Sequence, residues 1–102
     1  MPIPFLNLKS INSSYAKEFH NALDRILDSG NFILGDEVFQ FEKEFAAFLN
    51  TSYCIGVSNG LDAITLTLKA WGISSGDEVI VPSNTFIATW LGVSHSGAKP
   101  IP

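Results

Sequence analysis

The first half of the chain carries two stretches in which apolar residues recur every three or four positions, the period of an amphipathic helix. The first stretch has Ser13 or Ser14 as its candidate cap and Gly30 at its end. Its apolar face comprises Tyr15, Phe19, Ala22, Leu23, Ile26 and Leu27. The second stretch has Asp36 as its cap, and its apolar face comprises Val38, Phe41, Phe45, Phe48 and Leu49. The pattern predicts two helices that each bury one face.

The second half of the chain has a different pattern. Two apolar runs, 53–57 and 79–82, show no alternation with polar residues, which is typical of parallel strands buried on both faces. Helical stretches at about 61–71 and 85–95 follow these runs, so we expect strands and helices to be linked as in βαβ units. The predicted fold class is therefore α/β.

The chain reaches Pro102 where Gly97 and Pro100 precede a third strand-like segment. Right-handed crossovers would put consecutive helices on one face of the sheet, so the other face would rely on the two N-terminal helices alone. A strand at the very end would also leave an exposed edge. We therefore expect the front portion of a larger domain, apparently truncated; the alternative is a small complete α/β domain.

The composition indicates which binding partners and which cellular compartment to expect. A formal net charge of −4 and a pI near 4.9 argue against nucleic acid as the main partner. No apolar run is long enough to span a bilayer, and the N-terminus lacks the features of a secretory signal. The single Cys54 excludes an internal disulfide and fits a reducing cytosol, so we expect a cytoplasmic protein without membrane association. One cysteine and two distant histidines argue against a metal site.

The segment Ser58-Asn59-Gly60-Leu61-Asp62 lies between the first strand-like run and a helix. Unpaired N–H groups and the positive end of the helix dipole make such a turn a candidate anion site. Gly60 would let the backbone approach an oxyanion, and Asp62 is best interpreted as a first-turn acid that stabilises the dipole. An ordinary connection without a ligand remains the more frequent alternative.

A second strand–turn–helix segment ends in Phe86, after Ser83, Asn84 and Thr85. The three polar residues are candidate helix caps. Ligands gather at the carboxyl ends of parallel strands, which makes the Phe86 ring a candidate for stacking on a planar ligand. Taken by itself, Phe86 is more often a core aromatic. Together the two turns suggest a phosphorylated planar cofactor.

An ordered set of motifs resembles the DegT/DnrJ/EryC1/StrS sugar aminotransferases, and the likeness extends from Ile3 over essentially the whole chain. The motifs are Gly35-Asp36-Glu37-Val38 with Phe41-Glu42 and Phe45-Ala46, Val57 to Ala63, Gly76 to Pro82, and Ser83 to Thr89. The stretch from Pro82 to Trp90 is most similar to the branch that acts on nucleotide-linked 3-keto-6-deoxyhexoses.

The resemblance implies a pyridoxal 5′-phosphate enzyme of the aspartate aminotransferase fold type, of which this chain is the N-terminal part of the large domain. It implies amino transfer from an amino acid such as glutamate to a nucleotide-linked keto sugar, by a homodimer. It assigns the cofactor phosphate to Asn59, Gly60 and Leu61, and it places Phe86 on the pyridine ring. Within that fold, the strands at 53–57 and 79–82 are not neighbours, so both are expected to lack pairing partners here.

The resemblance also implies that the Schiff-base lysine and the acid that holds the pyridine nitrogen lie beyond this chain. None of the five lysines has a matching context, so no catalytic residue is assigned and the chain alone is expected to be inactive. We expect one segment of a single domain, with a helical part over 1–52 and strand–helix units over 53–102. The alternatives are a non-catalytic regulatory or binding module of this fold and a truncated gene product.

Overall fold

The computed structural model describes residues 3–102, which form five helices and two strands. The chain divides into two compact units, an N-terminal unit, Met1–Ile55, and a C-terminal unit, Gly56–Pro102. The N-terminal unit contains helices α1 (Leu8–Ser13), α2 (Ala16–Ser29) and α3 (Asp36–Phe48). The C-terminal unit contains, in chain order, α4 (Gly60–Ala70), β1 (Glu78–Ile80), α5 (Ile87–Ser96) and β2 (Lys99–Ile101).

The short helix α1 is an element that the apolar pattern did not predict. Asn7 caps it, because its side chain accepts a hydrogen bond from the Ser10 amide at 3.0 Å. Ser13 and Ser14 then donate their hydroxyls back to carbonyls of α1, so their prediction as caps of α2 was wrong. Serine serves either role, and here the preceding carbonyls are the nearer partners.

The two predicted amphipathic helices are present as α2 and α3. Gly30 ends α2 in the left-handed conformation, with φ of 69°, as expected of a C-terminal glycine. The predicted cap of α3 was wrong by one residue: Gly35 is the N-cap, and Asp36 is the first helical residue. Asp36 there still places a negative charge in the first turn, where it stabilises the helix dipole.

The predicted strand at 53–57 is not a strand in this structure. No strand pairs with this segment among the described residues, and Tyr53 and Ile55 are 86% and 79% exposed. An apolar run becomes a strand only where a neighbour accepts its backbone hydrogen bonds. The expectation that this run lacks a partner therefore agrees with the structure.

The second predicted strand does have a partner, which corrects the expectation that it would be unpaired. Strands β1 and β2 are parallel and in the register Glu78↔Lys99, Val79↔Pro100 and Ile80↔Ile101. The amide of Val81 donates to the carbonyl of Ile101 at 2.8 Å and extends the ladder. With α5 between them, the two strands form a βαβ unit.

A small core holds the C-terminal unit together. Its buried residues are Leu68, Val81, Val93 and Ala98, and Ile64, Ile73, Val79 and Trp90 pack against them. Helices α4 and α5 also approach closely: a Cβ added to Gly92 would lie 2.9 Å from two side-chain carbons of Ile64. The buried Thr65 hydroxyl donates to the Gly92 carbonyl at 3.0 Å, which fixes the two helices side by side. Trp71, which follows the last residue of α4, is 74% exposed and lies outside this core.

No helix within residues 3–102 combines the length and the apolarity that crossing a membrane requires.

Candidate functional site

A closed hydrogen-bond network shapes the start of α4. The Asn59 side-chain oxygen accepts from the Asp62 amide at 2.9 Å, and Asn59 is the N-cap of the helix. The Asn59 side-chain nitrogen donates to Ser58 Oγ and to Asp62 Oδ2, both at 2.9 Å. The Ser58 hydroxyl in turn donates to the same carboxylate oxygen. Both polar groups of the Asn59 side chain are thus hydrogen-bonded to residues of the turn itself.

Three successive amides in this turn have no acceptor among the described residues. They are the backbone N–H groups of Asn59, Gly60 and Leu61, which were the residues predicted to hold a phosphate. The first amides of a helix point out of its N-terminal end, where the helix dipole carries partial positive charge. This turn can therefore hold an anion through its backbone. The Asn59 side chain cannot add to that without leaving its present partners.

Gly60 has no conformational or packing reason to be glycine. Its φ is not in the left-handed region. Apart from its chain neighbours and the backbone of its own helix, no heavy atom of residues 3–102 lies within 4 Å of an added Cβ. Because Gly60 has no Cβ, the space beside the free amides is open. A phosphate oxygen can enter that space, so the turn fits the predicted group.

Phe86 lies on the same cleft as these amides. The cleft has a volume of about 530 Å³ and is lined by Asn59, Gly60, Leu61, Ile64, Phe86, Ala88 and Thr89. All four residues predicted to bind the cofactor are in that set. The Phe86 side chain is 78% exposed, so the alternative of a core aromatic is wrong. An exposed ring beside an anion-binding turn can accept a planar, phosphorylated ligand.

The start of α5 differs from the prediction in its capping. Phe86 itself is the N-cap, and no side chain makes a capping hydrogen bond there, so the prediction of Ser83, Asn84 or Thr85 as the cap was wrong. The Thr85 hydroxyl instead lies 2.9 Å from the Thr89 hydroxyl, one helical turn further on. Phe86 therefore lies just before the first residue of α5, where it is exposed to solvent.

Sequence reasoning missed three residues of the cleft: Ile64, Ala88 and Thr89. Two of them carry a recognisable signal. Ile64 follows Leu61 by three positions and Thr89 follows Phe86 by three, so each lies on the same helix side as a predicted site residue. Ala88 has no such signal, since a small apolar side chain is common on any helix.

The described chain brings no amine to this cleft. Each of its five lysines is exposed, and none lines the cleft. Lys99 is bound elsewhere, at 3.2 Å from Glu78 Oε1. No group of three or more potential metal ligands occurs in residues 3–102. The site can therefore bind and orient a ligand, but no side chain on it offers a nucleophilic nitrogen.

Known proteins resemble this chain in both sequence and structure. It is 56% identical over 99 residues to the dTDP-3-amino-3,6-dideoxy-alpha-D-galactopyranose transaminase of Aneurinibacillus thermoaerophilus, covering 97% of this chain and 27% of that protein. The structure of DesV from S. venezuelae in complex with a ketimine intermediate superposes with a TM-score of 0.92 at 50% identity, covering 98% and 27%. NtdA from Bacillus subtilis with bound cofactor PMP superposes with a TM-score of 0.88 at 39% identity, covering 97% and 23%.

The chain thus spans about a quarter of the length of the relatives that it matches. It has the fold of the corresponding part of these aminotransferases, as the resemblance implied. Residues 13–102 match the family described as the DegT/DnrJ/EryC1/StrS aminotransferase family, and the chain belongs to that family.

Proposed function

We propose that the protein to which this chain belongs transfers an amino group to a nucleotide-linked keto-deoxysugar of the dTDP-3-keto-6-deoxyhexose type, with pyridoxal 5′-phosphate as cofactor. The amino donor is an amino acid such as glutamate. The chain supplies the part that binds the cofactor phosphate and one face of its ring. The observation that carries the proposal is the cleft in which the free amides of Asn59, Gly60 and Leu61 lie with the exposed Phe86 ring.

The relatives support the reaction class and the substrate class. One is named for making a dTDP-linked 3-amino-dideoxysugar, at 56% identity, and another structure holds the cofactor PMP. In this proposal the protein works in the cytoplasm as a homodimer and contributes to deoxyaminosugar biosynthesis. When bound, pyridoxal phosphate supplies the electron sink that stabilises negative charge at the reacting carbon.

Two groups of this chain act on the cofactor. The amides at the start of α4 donate hydrogen bonds to the phosphate oxygens, and the helix dipole favours the phosphate's charge. Hydrogen bonds to charged groups contribute about 1.5–3 kcal/mol each in proteins. The Phe86 ring would stack on the pyridine ring and so orient it, and such aromatic contacts contribute about 0.5–1.5 kcal/mol.

The test uses the complete gene product that contains this chain. Purified protein is titrated with pyridoxal phosphate and with pyridoxal, which lacks the phosphate. We expect pyridoxal to bind at least about tenfold more weakly, since it cannot use the amides of α4. We also expect amino transfer from glutamate to a dTDP-linked 3-keto-6-deoxyhexose. Equal binding of the two compounds, or no binding of either, would contradict the proposal.

A non-catalytic binding module of this fold is the second candidate, because the backbone amides and the aromatic ring that line the described cleft account for binding alone. The two candidates differ in the remainder of the gene product. An enzyme requires a lysine there that attaches to the cofactor, whereas a binding module does not. Visible absorption of covalently bound cofactor, abolished by substituting that lysine, supports the enzyme. The 102-residue chain alone should transfer no amino group.

A further inference from the structure

We propose that Asp62 is a positioning residue for the phosphate site: its carboxylate orients the Asn59 side chain so that the Leu61 amide stays free for the ligand. This inference rests on the proposed function. It assigns a role to a side chain that does not line the cleft itself. It also changes the interpretation of Asp62, which otherwise only stabilises the helix dipole.

Any N-cap side chain has two possible backbone partners in the first turn of its helix. Its oxygen can accept from the amide two positions on or from the amide three positions on. For Asn59 these are the amides of Leu61 and Asp62. The structure shows the second choice, with Asn59 Oδ1 at 2.9 Å from the Asp62 amide. The first choice would occupy an amide on which the phosphate depends.

The carboxylate of Asp62 determines this choice. A carboxylate accepts hydrogen bonds but cannot donate them, so only the nitrogen end of the Asn59 amide can face it. The structure has that nitrogen 2.9 Å from Asp62 Oδ2, and the Ser58 hydroxyl donates to the same oxygen. With its nitrogen held there, Asn59 directs its oxygen to the Asp62 amide. The amides of Gly60 and Leu61 then remain unpaired.

The negative charge of Asp62 distinguishes a positioning role from a purely electrostatic one. A carboxylate beside a phosphate repels it, so on electrostatic grounds alone the removal of Asp62 should strengthen phosphate binding. Positioning predicts the reverse, because the freed Asn59 side chain can turn and compete for the Leu61 amide. The two views thus predict opposite signs for one substitution.

The experiment compares Asp62→Ala and Asp62→Asn in the complete gene product. Dissociation constants are measured for pyridoxal phosphate and for pyridoxal, together with thermal unfolding. We expect Asp62→Ala to raise the dissociation constant of pyridoxal phosphate by about tenfold, which corresponds to the loss of one hydrogen bond to a charged group. The dissociation constant of pyridoxal should not change. Asp62→Asn keeps an acceptor oxygen for Asn59, so its binding should be closer to that of the unsubstituted protein.

Asp77 provides the matched control. Its carboxylate accepts from the Ser74 amide at 2.8 Å in the turn before β1, and it does not line the cleft. Asp77→Ala removes the same kind of side chain and should leave the ratio of the two dissociation constants unchanged. A shift in that ratio equal to that of Asp62→Ala would overturn the proposal.

The remaining outcomes are also decisive. If Asp62→Ala binds pyridoxal phosphate equally well or more tightly, the positioning role is refuted. If Asp62→Ala weakens the binding of both compounds equally and lowers the unfolding temperature, the role of Asp62 is structural and the proposal fails. The proposed function fails separately: the unsubstituted protein would then show no preference for pyridoxal phosphate over pyridoxal.

Discussion

The two units of this chain differ in where their apolar side chains lie. In the C-terminal unit, Val81 and Val93 are 4% and 1% exposed, and they belong to a core that two helices and two strands enclose. In residues 3–55 of the N-terminal unit, only Ala46 is buried. Leu23 and Leu27, on the predicted buried face of α2, are 52% and 56% exposed.

Both units have the sequence pattern expected of buried helix faces, so the pattern alone does not determine burial. Helical periodicity is a local property, whereas burial depends on a packing partner that is often distant in the chain. Helix α4 has such a partner, because Gly92 of α5 allows close approach to Ile64. In the N-terminal unit, the rings of Phe41 and Phe45 stack at 5.4 Å along a single helix, which leaves both rings at least 40% exposed.

The candidate site belongs to the unit that has a core. The starts of α4 and α5 line one cleft because the two helices are packed against each other. A binding site needs elements whose positions are fixed by packing, since a small displacement weakens hydrogen bonds and ring contacts together. The core of the C-terminal unit therefore also fixes the positions of the residues that line its candidate site.

The largest expected effect contrasts one leucine from each unit. Leu68→Ala removes a side chain that is 92% buried in the core, and such substitutions cost about 2–5 kcal/mol. Leu27→Ala removes one that is more than half exposed and should cost less than about 1 kcal/mol. Urea unfolding of the 102-residue chain, followed by circular dichroism, measures both.

Equal losses of unfolding free energy for Leu68→Ala and Leu27→Ala in that chain would contradict the difference between the two units. The same two substitutions are also informative in the complete gene product. There, a cost of Leu27→Ala that rises towards that of Leu68→Ala would mean that residues outside this chain cover the apolar face of α2.

The next effect concerns the close approach of α4 and α5. Gly92→Ala places a Cβ 2.9 Å from Ile64 Cβ and Cγ2, which is too short for two carbon atoms. The overlap disappears only if the backbone of α4 or α5 shifts. Overpacking costs about 1–3 kcal/mol, and the better helix propensity of alanine returns up to about 1 kcal/mol. We expect a net loss of stability with faster hydrogen exchange in both helices.

Gly60→Ala is the matched control for this substitution. It lies in the same unit, and its added Cβ would meet no other part of the described chain within 4 Å, apart from its neighbours and its own helix backbone. We expect no loss of stability, and at most a gain of about 1 kcal/mol from the better helix propensity of alanine. We also expect weaker binding of pyridoxal phosphate, because the Cβ would occupy space beside the free amides. Equal stability of the two variants would contradict the close packing of α4 on α5.

A smaller effect separates two exposed aromatic rings. Phe86 is 78% exposed in the cleft of the C-terminal unit, and Phe48 is 81% exposed at the end of α3. Phe86→Ala should raise the dissociation constant of pyridoxal phosphate by about two- to tenfold, as expected for the loss of a ring contact. Phe48→Ala should leave it unchanged. Fluorescence titration of the complete gene product measures both constants, and equal values for the variants would remove Phe86 from the site.

Sequence reasoning succeeded where a feature depends on near neighbours. The sequence predicted a helix directly after the Ser58–Asp62 turn with Asp62 as a first-turn acid, and Asp62 lies in the first turn of α4, although the capping role of Asn59 was not predicted. The end of α2 follows from Gly30 in the same way. The four residues predicted to bind the cofactor all line one cleft, although their role in binding stays a prediction.

Sequence reasoning failed where a feature depends on distant partners or on a choice between near-equal ones. The run at 53–57 has the composition of a strand but no pairing neighbour within residues 3–102, whereas β1 pairs with β2, about 20 residues away. Helix α1 has only six residues and too few turns to show a period. Exposure in the N-terminal unit was equally unpredictable, since it depends on what lies against α2 and α3.

The smallest expected effect lies in the N-terminal unit, where Arg25 of α2 binds both carboxylate oxygens of Glu37 on α3, at 2.5 and 3.0 Å. The hydrogen bond from Arg25 lowers the pKa of Glu37 below its usual range and raises the pKa of Arg25. Because the folded-state pKa of Glu37 is lowered, its contribution to stability is present above the unfolded-state pKa. That contribution is lost as the pH falls through the folded value.

Both side chains are well exposed, so the effect on stability is small and should weaken further as salt screens the charges. Nuclear magnetic resonance of the Glu37 carboxyl carbon should show titration at a lower pH than for an unpaired glutamate, and Arg25→Ala should move it back upward. A Glu37 titration that does not change in Arg25→Ala would mean that this pair does not join α2 to α3 in solution. The N-terminal unit would then lack even the polar contact that the structure shows between its two long helices.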